Sequence, residues 1–216
     1  MRSARLLTSV TVPLKHKIAA DAVVIMQHKP FGLLSPSTTP RGNKRYARDI
    51  LTRSNMRGGR WAHDMDPCDT HGLQCAGRLD ADSTGLLLWT DSSALVQWII
   101  GPRTPVEKEY IVRVTGHADW GVQQLEDSLA LMREGVSLDG RPLRPAQVDM
   151  LNDSQIRVVL REGRHRQIRR VCDIVGFQVQ ALKRVRIGKL RLGGLGVGQW
   201  KPLVSVAAAA ALLVAP

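Results

Sequence analysis

Cysteines, aromatic residues, acidic side chains and long apolar runs are all scarce in this chain, and each shortage removes a class of protein. Three cysteines in 216 residues, Cys68, Cys75 and Cys172, are too few for a disulfide framework, so a reducing compartment is expected. No stretch reaches the roughly 18 to 20 apolar residues that a membrane-spanning helix needs. The nearest approach, the closing "LVSVAAAAALLVAP", is short and alanine-rich and reads as a terminal helix or a frayed end, so no membrane partner is expected. Aromatics make up 4% of the chain. Tyr46 and Tyr110 are its two tyrosines, so any task that needs a phenol has two candidates.

What the chain has in excess is positive charge. Lysine and arginine number 31 against 19 acids, for a formal net charge of +12 and a pI near 10.5. Such a surface attracts polyanions, which makes nucleic acid the first partner to consider. The charge is also concentrated. Between Arg157 and Arg191 stand eleven basic residues and two acids, where an even spread would place about five basic residues. Val, Ile and Leu are interleaved with them at strand and helix spacings, which describes a folded basic face rather than a disordered tail.

Strand-like and helix-like pieces alternate along the sequence. "AVVIMQHK" is a strand that ends in the turn of "KPFGLLS". Further strands are expected at about 73–79 and 85–90, and "DSSALVQWII" is a helix with Asp91 or Ser92 as N-cap. "EKEYIVRVTG" is a strand with Tyr110, Val112 and Val114 on one face. "DWGVQQLEDSLA" is a helix opened by Asp119, and "PAQVDML" and "SQIRVVLRE" form a hairpin across "NDS". "RHRQIRRVCDIVG" is a helix with Ile168, Val171, Cys172 and Val175 inward and Gly176 as its stop, and "VQALKRVRIGKLRL" returns as strands. These pieces predict an α+β fold with a mixed, mainly antiparallel central sheet flanked by helices, in two lobes around a cleft.

The core is expected over 22–204, with a long basic excursion at 36–72 and an Ala-rich tail at 205–216. Residues 1–21 are basic and free of acids until Asp21. They read either as an organelle transit peptide or as the basic start of a bacterial protein, which leaves the compartment open between bacterial cytoplasm and a mitochondrion or plastid.

Two clusters raise the question of metals. In "GRLDADSTGLLLWTD", Asp80, Asp82, Thr84, Gly85 and Asp91 fall on positions one, three, five, six and twelve of a calcium loop. However, Thr84 brings no charge, Leu88 stands at position nine, Asp91 is shorter than the usual Glu, and "GLLLWT" reads as a buried strand rather than a flanking helix. His63, Cys68, His71 and Cys75 are zinc-type ligands, but without the short paired spacing of a structural site. No metal is assigned to either.

"GRLDADSTGLLL", "KEYIVRV", "EGRHRQIRRV" and "LKRVRIGKLRLGGLGVGQWKPL", in this order behind "KPFGLLS", resemble the pseudouridine synthases of the small-subunit-type rRNA family, nearest to its large-subunit rRNA synthase E branch. The resemblance spans about 22–204. It implies an RNA-modifying isomerase that needs no cofactor and acts on RNA, most naturally ribosomal RNA, and nothing in the sequence suggests more than a monomer. The reaction breaks the bond from C1′ to N1 of uridine, turns the uracil and rejoins it through C5. One carboxylate in a dry pocket can serve, as a nucleophile or by removing a ribose proton.

By the same resemblance that carboxylate is Asp80, with Asp82 holding the loop. Tyr110 is the tyrosine that stacks on the uracil and takes the C5 proton. Arg169 is the arginine that pairs with the catalytic carboxylate and keeps it ionised, with Arg166 or Arg170 as alternatives if the helix is rotated. Arg78 steadies the loop or touches a phosphate. Because a stacked base must be swung out of the RNA, Arg164, Arg166, Arg170, Lys183, Arg184 and Arg186 are the candidates for backbone contacts.

Departures from the family pattern are local. "TDSS" replaces the usual Asn-Asp-Gly after the "LLL" strand, and the residues ahead of the core leave no room for the small N-terminal RNA-binding domain of many relatives. Target choice is then expected to rest on the core, the excursion or a partner. A non-catalytic RNA-binding protein of ribosome assembly is the alternative, since it needs the basic face but not Asp80, Tyr110 and Arg169 together.

Overall fold

Eight of the eleven strands among the described residues were written into the sequence as short apolar or alternating runs, the exceptions being the two-residue pair at 137–138 and 141–142 and the last strand at 200–202, and nine of the eleven join one sheet. The computed structural model describes residues 22–35, 45–58, 71–102 and 104–203. The extension at 1–21, most of the excursion and the tail lie outside these residues. The strands are β1 (Val24–Lys29), β2 (Gln74–Cys75), β3 (Ser83–Thr90), β4 (Lys108–Thr115), β5 (Ser137–Leu138), β6 (Arg141–Pro142), β7 (Gln147–Asn152), β8 (Gln155–Leu160), β9 (Gln178–Ile187), β10 (Leu190–Arg191) and β11 (Trp200–Pro202). The sheet runs β11-β1-β3-β9-β4-β8-β7, with β10 on β9 and β2 on β3, and β5 and β6 make a separate hairpin.

Every pairing is antiparallel except that of β3 with β9. The fold is therefore α+β with a mainly antiparallel sheet, as expected. The division into two lobes is not seen, because the sheet is hydrogen-bonded without a break from β11 to β7.

Period-two alternation sorts the apolar side chains of the central strands onto two faces. Ile25, Leu87, Trp89, Val112 and Val114 enter one core, and Val24, Met26, Leu86 and Leu88 enter the other. Helix α1 (Ser93–Ile100) covers the second face with Leu95, Val96 and Ile99. Helices α2 (Val122–Glu134) and α3 (Gln167–Ile174) cover the first, with Leu129, Met132, Ile168, Val171 and Cys172. Each such side chain, fully buried, contributes about 1.5 to 3 kcal/mol by its removal from water.

The helix ends follow local chemistry. Ser92 caps α1 by accepting from the Leu95 amide at 3.3 Å. Asp119 does not open α2, which begins three residues later behind Gly121. Trp120 is held out of the helix instead, its ring 5.0 Å from Phe177 and 6.0 Å from His117. Gly176 ends α3 with φ +92°, and a Cβ there would lie 2.9 Å from the Trp120 ring. "YARDILTR" forms a 3-10 turn over Ala47–Ile50 rather than an α-helix. This turn is anchored by Gln27 Nε2 donating to the Ala47 carbonyl at 2.7 Å.

Candidate active site

The loop that carries Asp80 and Asp82 is laced to the "KPFGLLS" segment at three points. The Ser35 hydroxyl donates to the Leu79 carbonyl at 2.9 Å and accepts from the Leu79 amide at 3.1 Å. The Gly32 amide donates to the Ala81 carbonyl at 2.8 Å. Buried Lys29 donates through Nζ to the Ser83 carbonyl at 2.8 Å and to that of Pro30 at 2.9 Å. The two aspartates thus sit on a loop with little freedom, immediately before β3 begins.

That placement bears on the calcium spacing. Thr84, Gly85 and the residues to Thr90 lie in an extended strand, and Asp91 accepts from the Val23 amide at 2.9 Å. The oxygens are strung along a strand rather than wrapped into a loop. Of the zinc-type group, His63 and Cys68 lie outside the described residues. Burial pushes the Cys75 thiol up to about 12, which disfavours the thiolate a metal would need.

Arg166 and Arg169 close over the aspartates from the start of α3. Arg166 Nη2 donates to Asp82 Oδ2 at 2.8 Å, and Nη1 lies 3.6 Å from Asp80 Oδ2. Arg169 Nη2 donates to the Asp82 carbonyl at 2.8 Å, while its Nε lies 3.3 Å from Asp82 Oδ2 without the alignment of a hydrogen bond. The pair expected between Arg169 and Asp80 is therefore made to Asp82, and Arg166 is the arginine that reaches both carboxylates. The reason is local. Arg166 has φ +51°, a left-handed conformation, and stands just ahead of the helix, which turns its side chain out of the helical phase that the sequence reading assumed. Burial pushes the Asp82 carboxyl up, but the Arg166 hydrogen bond and the charges of Arg169 and Arg166 outweigh it and hold Asp82 below the usual carboxylate range.

The opposite wall comes from β4 and β9. Gly85 pairs with Arg184 across the parallel β3 and β9. With φ +110°, a Cβ on Gly85 would fall 2.2 Å from the Arg184 carbonyl oxygen, so only glycine allows this approach. A register shift on β9 then sets Arg184 opposite Tyr110 and Arg186 opposite Glu109, with Val185 as the extra residue. Arg184 and Arg186 are thereby sent to different neighbours. The Arg184 guanidinium lies 6.0 Å from the Tyr110 ring centroid.

Asp80, Tyr110, Arg166, Arg169 and Arg184 all line one cleft of 740 Å³, together with Arg78, Arg164 and Lys108. Asp82 is not part of its lining.

The proposed phosphate contacts divide sharply. Arg78 and Lys183 are exposed. Arg164 donates to the carbonyls of Leu138, Arg141 and Pro142 and so holds the β5–β6 hairpin. Arg170 forms a two-pronged pair with Asp139 at 2.9 and 2.6 Å.

Two assignments are corrected. Arg184 is 1% exposed. It spends its guanidinium on the carbonyls of Leu86, Gly77 and Arg78, so it is a wall of the cleft rather than a surface contact. Arg186 is bound by Glu109 at 2.6 Å and Glu107 at 3.1 Å and serves the sheet. Lys29 and Lys108 escaped the sequence reading, although "KPFGLLS" and "KEY" both drew attention to their segments.

The chain matches the family model described as RNA pseudouridylate synthase over residues 23–173. It is 34% identical over 183 residues to an uncharacterized RNA pseudouridine synthase of Aquifex aeolicus (strain VF5), covering 84% of this chain and 68% of that one. It is 34% identical over 185 residues to ribosomal large subunit pseudouridine synthase B of Yersinia pestis, covering 83% of this chain and 52% of the relative, so it spans about half the length of the latter. A crystal structure of a pseudouridylate synthase superposes with a TM-score of 0.72 at 27% identity, over 91% of this chain and 75% of that one. No helix among the described residues is long and apolar enough to cross a membrane. A family match across most of the core, a shared fold, and an aspartate, a tyrosine and arginines gathered at one cleft lead to one conclusion: the chain belongs to the RNA pseudouridine synthase family.

Proposed function

We propose that this chain converts a specific uridine of ribosomal RNA to pseudouridine, with Asp80 as the carboxylate that acts at the ribose. The observation that carries the assignment is the division of labour between the two aspartates. Asp80 lines the same cleft as Tyr110, whereas Asp82 is occupied by Arg166 and Arg169. Asp82 is the carboxylate that orders the loop, and Asp80 is the one left to meet a substrate.

The chemistry needs an ionised carboxylate. As a nucleophile, Asp80 forms a bond to C1′ as the bond to N1 breaks, with the electron pair leaving on the uracil. As a base, it takes a ribose proton and uracil departs by elimination. In either route the uracil turns, C5 bonds to C1′, Asp80 is regenerated and C5 loses its proton. The Arg166 guanidinium lies 3.6 Å from Asp80 and sets a positive charge beside it. Tyr110 offers its ring face to the uracil, and its hydroxyl is the group assigned to the C5 proton.

Arg78 and Lys183 are the exposed cations for RNA phosphates, and the RNA offsets the few kcal/mol of base flipping through such contacts. The protein acts as a monomer without a cofactor, in the cytoplasm if the source is bacterial. Finer placement in the E branch rests on the sequence motifs alone.

Release of the C5 hydrogen tests this reading. Ribosomal RNA transcripts of the source organism, labelled with tritium at C5 of uridine, should release tritium with the wild type and not with Asp80→Asn. Release by both would remove Asp80 from the chemistry, and release by neither would leave RNA binding as the function.

A further inference from the structure

Lys108 is a buried cation that the mechanism above leaves unused. It opens β4 two residues before Tyr110, so both side chains leave the same face of the strand, and both line the cleft. The residue is 4% exposed. Its ammonium has three donors, and one hydrogen bond is seen, a long one of 3.3 Å to the carbonyl of Val106. The neighbouring carboxylates are committed elsewhere, Glu107 to Arg161 and Arg186, and Glu109 to Arg186. The charged groups that act on it are two cations, Arg184 and Arg144, and burial pushes its pKa down to about 8. Holding an amine here without a counter-ion is costly, and an apolar side chain would fill the space without that cost.

We propose that Lys108 donates a hydrogen bond to a carbonyl oxygen of the uracil that rests against Tyr110. This rests on the reading of the cleft as a uridine-isomerising site. Its basis is the symmetry of uracil. The turn that exchanges N1 with C5 runs about the axis through N3 and C6, and it also exchanges the carbonyl at C4 with that at C2. A donor fixed in the cleft wall therefore meets a carbonyl oxygen before the turn and another after it. Cytosine breaks this symmetry, because it presents an amino group at C4 and would set donor against donor in one of the two orientations. Lys108 is thus a specificity-determining residue that serves both ends of the rotation.

The test uses full-length protein and ribosomal RNA transcripts in which uridine is uniform, 2-thio-substituted or 4-thio-substituted, since sulfur accepts hydrogen bonds poorly. Pseudouridine or its thio counterpart is measured by nuclease digestion and mass spectrometry. Lys108→Met should lower kcat about tenfold to a hundredfold while KM for RNA stays within about twofold, and Lys108→Gln, which keeps a donor, should recover part of the loss. Thio substitution should slow the wild type and add little to the loss in Lys108→Met. Wild-type rates in Lys108→Met, or an undiminished thio penalty in both Lys108→Met and Lys108→Gln, would overturn the proposal. If wild-type protein forms no pseudouridine in any transcript, the isomerase reading itself fails, and this inference with it.

Discussion

Arg166 bridges the two aspartates of the loop before β3, 2.8 Å from Asp82 and 3.6 Å from Asp80. The shorter contact fixes the guanidinium, and the longer one places its charge beside the carboxylate that faces the cleft. On the proposed function, Asp82 acts on catalysis through Arg166. Asp82→Asn should lower kcat about tenfold to a hundredfold through misplacement of the pair, with a smaller change in KM for RNA.

The same substitution makes a prediction for acid stability. Asp82 has a folded pKa below its unfolded value, held there by Arg166 and Arg169 against burial. Its stabilisation is therefore present above the usual carboxylate pKa of 3.8 and lost as pH falls through the lower folded value. Thermal melts below about pH 4 should fall less steeply for Asp82→Asn than for the wild type, and identical acid limbs would contradict the ion-pair geometry.

Lys29 makes the opposite case at alkaline pH. Burial lowers its pKa from 10.5 to about 8, against the pull of Asp82 and Asp80. Between those values the unfolded chain holds a proton that the folded one has released, so stability rises with pH across this window. Full expression of the shift corresponds to roughly 3 kcal/mol as an upper bound. Melting temperature measured from pH 8 to 10 should rise less in Lys29→Met than in the wild type, where Lys108 contributes with the same sign.

Gly85→Ala tests the seam between β3 and β9. With an added Cβ 2.2 Å from a backbone oxygen, the strands must part, and a loss of about 3 kcal/mol or more is expected. Urea unfolding should show it, together with loss of activity as Arg184 shifts from Tyr110.

These contacts mark where the sequence is legible and where it is not. The longer strands, α1, the β7–β8 hairpin and the inward face of α3 follow from apolar periodicity, which the cores preserve at Ile25, Leu87, Val112, Ile168 and Val171. Asp80 and Tyr110 were likewise nameable, because "GRLD" and "KEY" carry a resemblance, whereas Lys108 of the same "KEY" was not. What periodicity does not encode is the extra residue at Val185 that separates Arg184 from Arg186, or the left-handed turn at Arg166 that lets it reach both aspartates. Charge in a sequence is also silent about partners. Arg184 and Arg186 read as a basic face, yet one is buried on carbonyls and the other is paired with glutamates.

RNA binding should divide these arginines in the same way. Arg78→Ala and Lys183→Ala remove exposed cations, so each should weaken RNA binding and reduce the salt slope by about one. Arg186→Met should lower the melting temperature and leave the slope unchanged. Filter binding across a salt series reads both.

The most direct test is pseudouridine mapping of both ribosomal RNAs in cells that lack this gene and carry either the wild-type chain or Asp80→Ala. One site should lose its pseudouridine on deletion, regain it with the wild type and stay unmodified with a stably folded Asp80→Ala. Restoration of that site by Asp80→Ala would contradict the role proposed for Asp80.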